Sequence, residues 1–341
     1  MLQLANETPF TAGMLLFADA RGVETLYVVV KSTFDARDGA VTVADAQEPL
    51  CLADEYWGDP ESSSLRRASE ARIARPGTDV LVAGHVHAPG GRAAATVDAS
   101  VRVGPLRATI RAIGDRLFTG DATPPYCTAP RPFTTMPLRY ERAFGGAYVD
   151  PGDRTLRVDR RNPVGRGFVP EGTRDLRPLR GASLPNLEDP SALWQRPGDL
   201  PPPCATGPIA PSWLPRAGYA GTYDEHWQTR RAPYLPDDFD QRFFHVAHPS
   251  LVSAAGLRGG ESVELERLTP DGAWRFALPA ITYAGEARVG RDLRALTFSL
   301  EAVHLDADEA RVTLVHRAAV TVDKRALQVS SVRVGLSGGA P

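Results

Sequence analysis

Thr96-Val97-Asp98-Ala99-Ser100-Val101-Arg102-Val103 alternates polar and apolar residues along its whole length. Successive side chains of a strand point to opposite faces, so this period of two puts Val97, Ala99, Val101 and Val103 on one buried face. The pattern continues outward in both directions. Leu106–Ile113 follows the breaker Gly104-Pro105, and Asp79–His87 and Arg92–Val103 are parted by Pro89-Gly90-Gly91. Nearer the N-terminus, Gly13–Ala18, Glu24–Phe34 and Ala40–Val43 are separated by Asp19-Ala20-Arg21-Gly22 and Asp35-Ala36-Arg37-Asp38-Gly39, which is turn chemistry. Ser62–Ala74, with serines at its start and Pro76 beyond its end, is the one segment of this zone that reads as a helix.

Residues 1–120 are therefore a first β zone. Residues 241–330 form another, with strands expected over Gln241–Ala247, Glu261–Arg267, Ala273–Leu278, Ala280–Val289, Ala295–Val303 and Arg311–Val322. Thr269-Pro270-Asp271-Gly272 is a hairpin turn by composition. Between the two zones, residues 121–240 hold 20 of the 30 prolines, together with Trp194, Trp213 and Trp227. Proline this dense forbids regular helices and central strands, while large aromatics argue against a disordered linker. The expected fold is mainly β. Antiparallel sheets from both ends of the chain, sandwich-like, flank a long Pro/Gly-rich irregular segment pinned by aromatic anchors, with few short helices. The whole of 1–330 reads as one composite domain, and 331–341 as a tail that frays from Gly335 on.

Composition excludes several functions. The net charge is −2, from 39 basic and 41 acidic residues, and no basic tract emerges, so nucleic acid and anionic membranes are not expected partners. All basic residues except Lys31 and Lys324 are arginine, which fits either a GC-rich genome or arginine forks in buried carboxylate pairs. Three distant cysteines, Cys51, Cys127 and Cys204, point to a reducing compartment. The N-terminal stretch lacks a cationic region, and its apolar run Met14–Ala18 is too short for a signal sequence or a membrane span. A cytoplasmic protein is expected.

No motif carries catalysis convincingly. Gly335-Leu336-Ser337-Gly338-Gly339 has the spacing of a nucleophile elbow, but no histidine follows it. His85 and His87 would share a strand face and could ligate a metal with a third donor such as His245 or His248, yet no carboxylate or cysteine lies at ligand spacing nearby. Asp237-Asp238-Phe239-Asp240 and Asp306-Ala307-Asp308-Glu309 lack the glycine and distant glutamate of a calcium loop and read as turns or helix caps. Gly165-Arg166-Gly167-Phe168 starts like a dinucleotide fingerprint, but Pro170 occupies the third glycine position. No catalytic residue, metal or cofactor is expected.

What remains is a set of glycine, proline, arginine and aromatic signatures. They are Tyr140-Glu141-Arg142-Ala143-Phe144-Gly145-Gly146, Asn162-Pro163-Val164-Gly165-Arg166-Gly167-Phe168, Leu184-Pro185-Asn186-Leu187-Glu188 and Ala220-Gly221-Thr222-Tyr223-Asp224-Glu225-His226-Trp227. Each is a turn with an apolar anchor beside a charged partner, and such residues serve equally as scaffold or as interface hot spots. Trp213 belongs with them, and Trp227 is expected to be a buried anchor.

In this order, and with Met136-Pro137-Leu138-Arg139 and Leu235–Asp240 beside them, these stretches resemble a bacterial family whose members act as adaptors, or chaperones, for effectors of the type VI secretion system. Weaker matches at Val28–Phe34, Thr78–His85, Gly114-Asp115-Arg116, Gly259-Gly260-Glu261 and Leu314-Val315-His316-Arg317 extend the resemblance over nearly the whole chain. His316 stands where the family pattern has tryptophan, and His248-Pro249-Ser250-Leu251 departs from an expected Ala-Pro-polar stretch. The resemblance implies a non-catalytic protein that binds a secreted effector and helps load it on the spike, with VgrG and PAAR proteins as further partners. Rival readings are a structural part of the apparatus that travels with the spike, a hydrolase, and a carbohydrate-binding sandwich.

Overall fold

The computed structural model describes residues 3–337. The central strand is Glu24–Arg37, in which Leu26 to Phe34 are all buried. An uninterrupted apolar run such as Leu26–Val30 suits a strand covered on both faces rather than one. Arg311–Thr321 lies beside it on one side and Thr11–Ala18 on the other, both antiparallel. Ser299–Asp306, Thr78–Ala83 and Val252–Ser253 extend the first side, and Ala40–Val43 completes a seven-stranded sheet. Strands from both ends of the sequence thus share one sheet, and the pairing of Ser299–Asp306 with Thr78–Ala83 is parallel.

The opening stretch forms strand Thr96–Val103 as its period requires, with Val97, Ala99, Val101 and Val103 all buried. It pairs with Leu106–Ile113 on one side and Ser262–Glu266 on the other, inside a five-stranded sheet closed by Leu187–Glu188 and Ala273–Ala277. Its apolar face shares one core with Leu26, Val28 and Val30 of the seven-stranded sheet, so the two sheets sandwich a common interior. Each fully buried Val or Leu there is worth about 1.5–3 kcal/mol. Trp274 adds a polar tie across the layers, its indole Nε1–H donating to the Ala36 carbonyl at 2.8 Å. A four-stranded sheet carries Tyr283 against the seven-stranded sheet, where the ring meets His316 edge-on at 5.0 Å.

The middle segment has only short strands and 3-10 turns, plus the single α-helix Glu225–Arg230. Its Phe144, Val169, Leu176, Leu184 and Trp194 join Phe118 of the first zone in a small core of their own.

Five expected elements need correction. Ala295–Val303 is not one strand, since Asp292–Ala295 ends where it should begin and Ser299–Asp306 starts only after a break. Ser62–Ala74 is no helix; it holds only strand Leu65–Arg67, because its polar groups are spent on distant partners. Ser64 donates to Glu141, Glu70 binds Lys31, and Arg72 binds Glu301. Gln241–Ala247 begins as the 3-10 turn Gln241–Phe244, capped by Asp240. Asp79–His87 breaks at Gly84, whose φ of +135° is closed to other residues and whose added Cβ would sit 3.1 Å from that of Ala307. The tail does not fray at Gly335, since Val329–Leu336 is a strand paired with Tyr283–Val289 and Gln3–Asn6. The rest of that expected tail, 338–341, lies outside the described residues.

Candidate functional site

The signature residues of the middle segment meet in one place. The turn at 140–146, the loop at 162–168 and the strand end at 184–188 interlock through backbone approach. At Gly145 an added Cβ would lie 2.2 Å from the Asn162 carbonyl oxygen, at Gly146 2.5 Å from that of Gly165, and at Gly167 2.6 Å from the Pro185 ring. Gly165 is held just as tightly, against the Asn162 amide. Fully buried Asn162 donates through Nδ2 to the carbonyls of Tyr140 (2.8 Å) and Phe144 (2.9 Å). Pro163 then opens the loop that brings Arg166 back to the turn.

Asn186 is the polar centre of this hub. Its Oδ1 accepts from Arg142 (3.2 Å) and Arg166 (3.3 Å), and its Nδ2 donates to the Ile113 carbonyl (2.9 Å) and Asp115 (3.0 Å). Arg142 also reaches Asp115 at 2.9 Å. Glu188 is buried against Arg116 and accepts from the Trp194 amide at 2.6 Å; burial raises its pKa against the pull of Arg116. Phe144 is fully buried and Phe168 partly so, both in the small core. These contacts tie Arg142, Phe144, Gly145, Gly146, Asn162, Gly165, Arg166, Gly167, Phe168, Pro185, Asn186 and Glu188 into one internally bonded hub, in which Arg142 and the Gly165–Phe168 loop stay partly exposed. Trp213 joins them, buried with its ring edge-on to Tyr140 at 5.5 Å.

Gly221, Thr222, Tyr223 and Trp227 lie elsewhere, on a surface flap. Asp238 accepts from the Thr222 amide (2.9 Å) and hydroxyl (2.7 Å), and Asp224 caps the helix by accepting from the Trp227 amide. Trp227 is only half-buried, which corrects the buried-anchor expectation. Its Nε1–H donates to the Tyr234 carbonyl at 2.8 Å, and its ring packs 4.7 Å from that of Tyr223. Tyr223 and Tyr234 are 52% and 43% exposed, a surface concentration of rings. Arg231 fastens the flap to the Asp19–Gly22 turn, with Nη2 3.0 Å from the Ala20 carbonyl. Leu16 and Phe17, both exposed, immediately precede that turn.

A second region was not read from the sequence. The face of the seven-stranded sheet turned away from the main core carries a buried ion network. Glu301 accepts from Arg72 (2.9 Å), the Arg75 amide (2.8 Å) and Arg317 (2.8 Å). Asp79 binds Arg75 (2.5 Å), His245 (2.6 Å) and the Val246 amide (2.6 Å). Burial alone would raise both carboxyls, yet Arg75 with His245 and the Val246 amide holds Asp79 at about 2, and Arg72, Arg317 and Arg75 hold Glu301 there. Buried arginine–carboxylate pairs are thus present, but each arginine gives its carboxylate one side-chain N–H rather than a two-bond fork.

Beside the network opens a cleft of about 240 Å³. Its walls include Trp57, Arg66, Arg139, His304, Asp308 and Arg311 over a floor of Leu81, Leu138 and Leu305. Burial, then the charges of Lys31, Arg75 and Arg67, push His304 down to about 3, so its imidazole is neutral. Of these residues Leu138 and Arg139 fall within one signature stretch, and Leu81 within a weaker one. No pattern marks Trp57 or His304, because only the sheet register and the 44–75 segment bring them together.

A family model matches residues 21–317, which takes in the hub, the flap, the network and the cleft; its description is "Uncharacterized protein conserved in bacteria (DUF2169)". The chain belongs to this family. No curated protein and no solved structure matches it.

Two thiols of this DUF2169 chain are held in the protonated form. Burial pushes the Cys204 thiol up to about 12 and the Cys51 thiol up to about 11, against the direction a nucleophile needs. His85 is paired with Asp308 at 2.8 Å. No cluster of three or more metal-ligating side chains occurs among the described residues, nor any helix long and apolar enough to cross a membrane. Ser337 follows a strand and donates its amide to the Thr282 carbonyl, while Gly338 and Gly339 lie outside the described residues.

Proposed function

We propose that this DUF2169 protein is a cytoplasmic adaptor that binds a type VI secretion effector and helps deliver it to the VgrG/PAAR spike. The observation that carries the reading is the division of labour among the signature residues. The hub spends its arginines, asparagines and glycines on internal contacts, whereas Tyr223, Trp227 and Tyr234 stand at the surface on a flap. Tyr and Trp supply large contact area at low entropy cost and dominate the binding energy of protein interfaces. The ordered signatures, spread over the segment matched by the family, support the same reading.

Co-purification with the effector encoded beside the gene tests it. Tyr223→Ala with Trp227→Ala should abolish capture while the melting temperature stays near that of the parent, because both rings are at or near the surface. Trp213→Ala should instead cost about 3–5 kcal/mol, as for other buried aromatics, and lose the partner only as the fold weakens. Capture of the effector by the flap variant at parental strength would overturn the assignment of the flap. Failure of every neighbouring gene product to bind the parent protein would overturn the adaptor reading itself.

A further inference from the structure

The cleft beside the ion network holds cationic groups that the fold leaves unused. Trp57, 37% exposed, carries Arg139 at 3.7 Å from its ring centroid and Arg66 at 5.0 Å. A guanidinium stacked on an indole spends its flat face on the ring and keeps its in-plane N–H fork free. Neither arginine is paired with a carboxylate among the described residues, although most arginines around them are.

The acidic groups of the same cleft are all engaged. Glu48 lies 3.5 Å from Lys31 and 3.6 Å from Arg67, and Asp308 pairs with His85 at 2.8 Å. Asp306 accepts from the Asp308 and Glu309 amides at 3.2 and 3.1 Å. Arg311, also in the lining, is only loosely paired with Asp35 at 3.6 Å. The imidazole of His304, in the same lining, makes no side-chain hydrogen bond among the described residues. The free capacity of the cleft is therefore for an anion, and for one that can accept several N–H bonds at once.

Size and lining narrow the choice. About 240 Å³ lies below the usual range for drug-sized ligands, roughly 300–1,000 Å³. It suits one side chain with its adjoining backbone. The leucine floor favours a carboxylate on an aliphatic stem over a bare, fully hydrated inorganic anion.

We propose that this cleft is a recognition site for a peptide carboxylate, a glutamate side chain in the first instance, gripped by the stacked Arg66 and Arg139 forks. The inference deepens the adaptor reading by stating what the partner presents, and it rests on that reading only for the partner's identity.

The test uses no effector, so its outcome is separate from that of the adaptor reading. The indole N–H resonance of Trp57 in the full chain, assigned by its loss in Trp57→Phe, is followed by NMR. Three probes are titrated: acetyl-Ala-Leu-Glu-amide, acetyl-Ala-Leu-Gln-amide and inorganic phosphate. The glutamate peptide should shift the resonance saturably, and the glutamine peptide should bind at least about tenfold more weakly, as expected when charge-assisted bonds are lost. Arg66→Gln with Arg139→Gln should remove the response while the melting temperature holds. Arg139→Lys, which keeps the charge but not the fork, should retain only part of it. Equal binding of the two peptides, saturation by phosphate alone, or no shift with any probe would each overturn the proposal.

Discussion

His316 shows how one residue sets a property of the fold. It lies buried against Tyr283, and its Nδ1 has no hydrogen-bond partner among the described residues. Burial lowers its pKa to about 4, against an ordinary value of 6.5. The folded-state pKa is thus depressed for a base. Below pH 6.5 the unfolded chain takes up a proton that the folded chain refuses, so stability falls as pH drops from there toward the folded value. Each such histidine contributes a slope of about 1.4 kcal/mol per pH unit in that window. His304, lowered to about 3, carries the same loss further into acid. His316→Phe keeps a ring against Tyr283 and removes one titration. Urea unfolding at pH 8 and pH 5 should show a shallower acid loss in the variant, with stability at pH 8 changed by less than about 1.5 kcal/mol. An unchanged difference between the two pH values would mean that His316 titrates normally in the fold.

The second face of the seven-stranded sheet is the element on which the sequence was hardest to read. Its ions come from Lys31, Glu70, Arg72, Arg75, Asp79, Glu301 and Arg317, which no local period connects. Arg317 alone donates to Glu301 and to the carbonyls of Glu70 and Arg72. The 62–74 segment has the composition of a helix, but these tertiary partners pull it into an extended lid, and propensity is a weak prior beside them. Strands were legible where breakers bound them: Ala40–Val43 and Leu106–Ile113 fall where Asp-Gly and Gly-Pro turns place them. The hub was legible as a set, since only glycine fits Gly145 and Gly146, but burial was not. Trp213 and Trp227 sit in similar surroundings along the chain, and only the packing separates core from flap. The network itself is testable. Glu301→Ala leaves Arg72, Arg75 and Arg317 buried without their shared acceptor and should cost about 3–5 kcal/mol. Glu264→Ala, which removes an exposed partner of Arg275, should leave the melt near the parent. Equal melts for the two variants would show that the buried charges are solvated by some other route.

At the scale of the whole molecule, sheet formation depends on chain ends that are far apart in sequence. The central strand Glu24–Arg37 pairs along most of its length with Arg311–Thr321, and Thr96–Val103 pairs with Ser262–Glu266. Gln3–Asn6 runs parallel to Val329–Leu336. Such pairings close loops of hundreds of residues, and their entropy must be met before any contact rewards it. Neither outer zone can then bury its apolar faces alone. A fragment ending at residue 240 would lose Ser299–Asp306 and Arg311–Thr321 and uncover one edge of the central strand together with Val28 and Val30. Exposed apolar edges of this kind drive aggregation. The fragment 1–240 should therefore purify as aggregate or unfolded chain, and co-expression with 241–341 should restore a soluble, cooperatively melting complex. Circular dichroism melts and size-exclusion profiles of the fragments, alone and together, decide the point. A cooperative, monomeric melt of 1–240 by itself would show that the first zone and the middle segment fold independently, and that the shared sheets form by later docking.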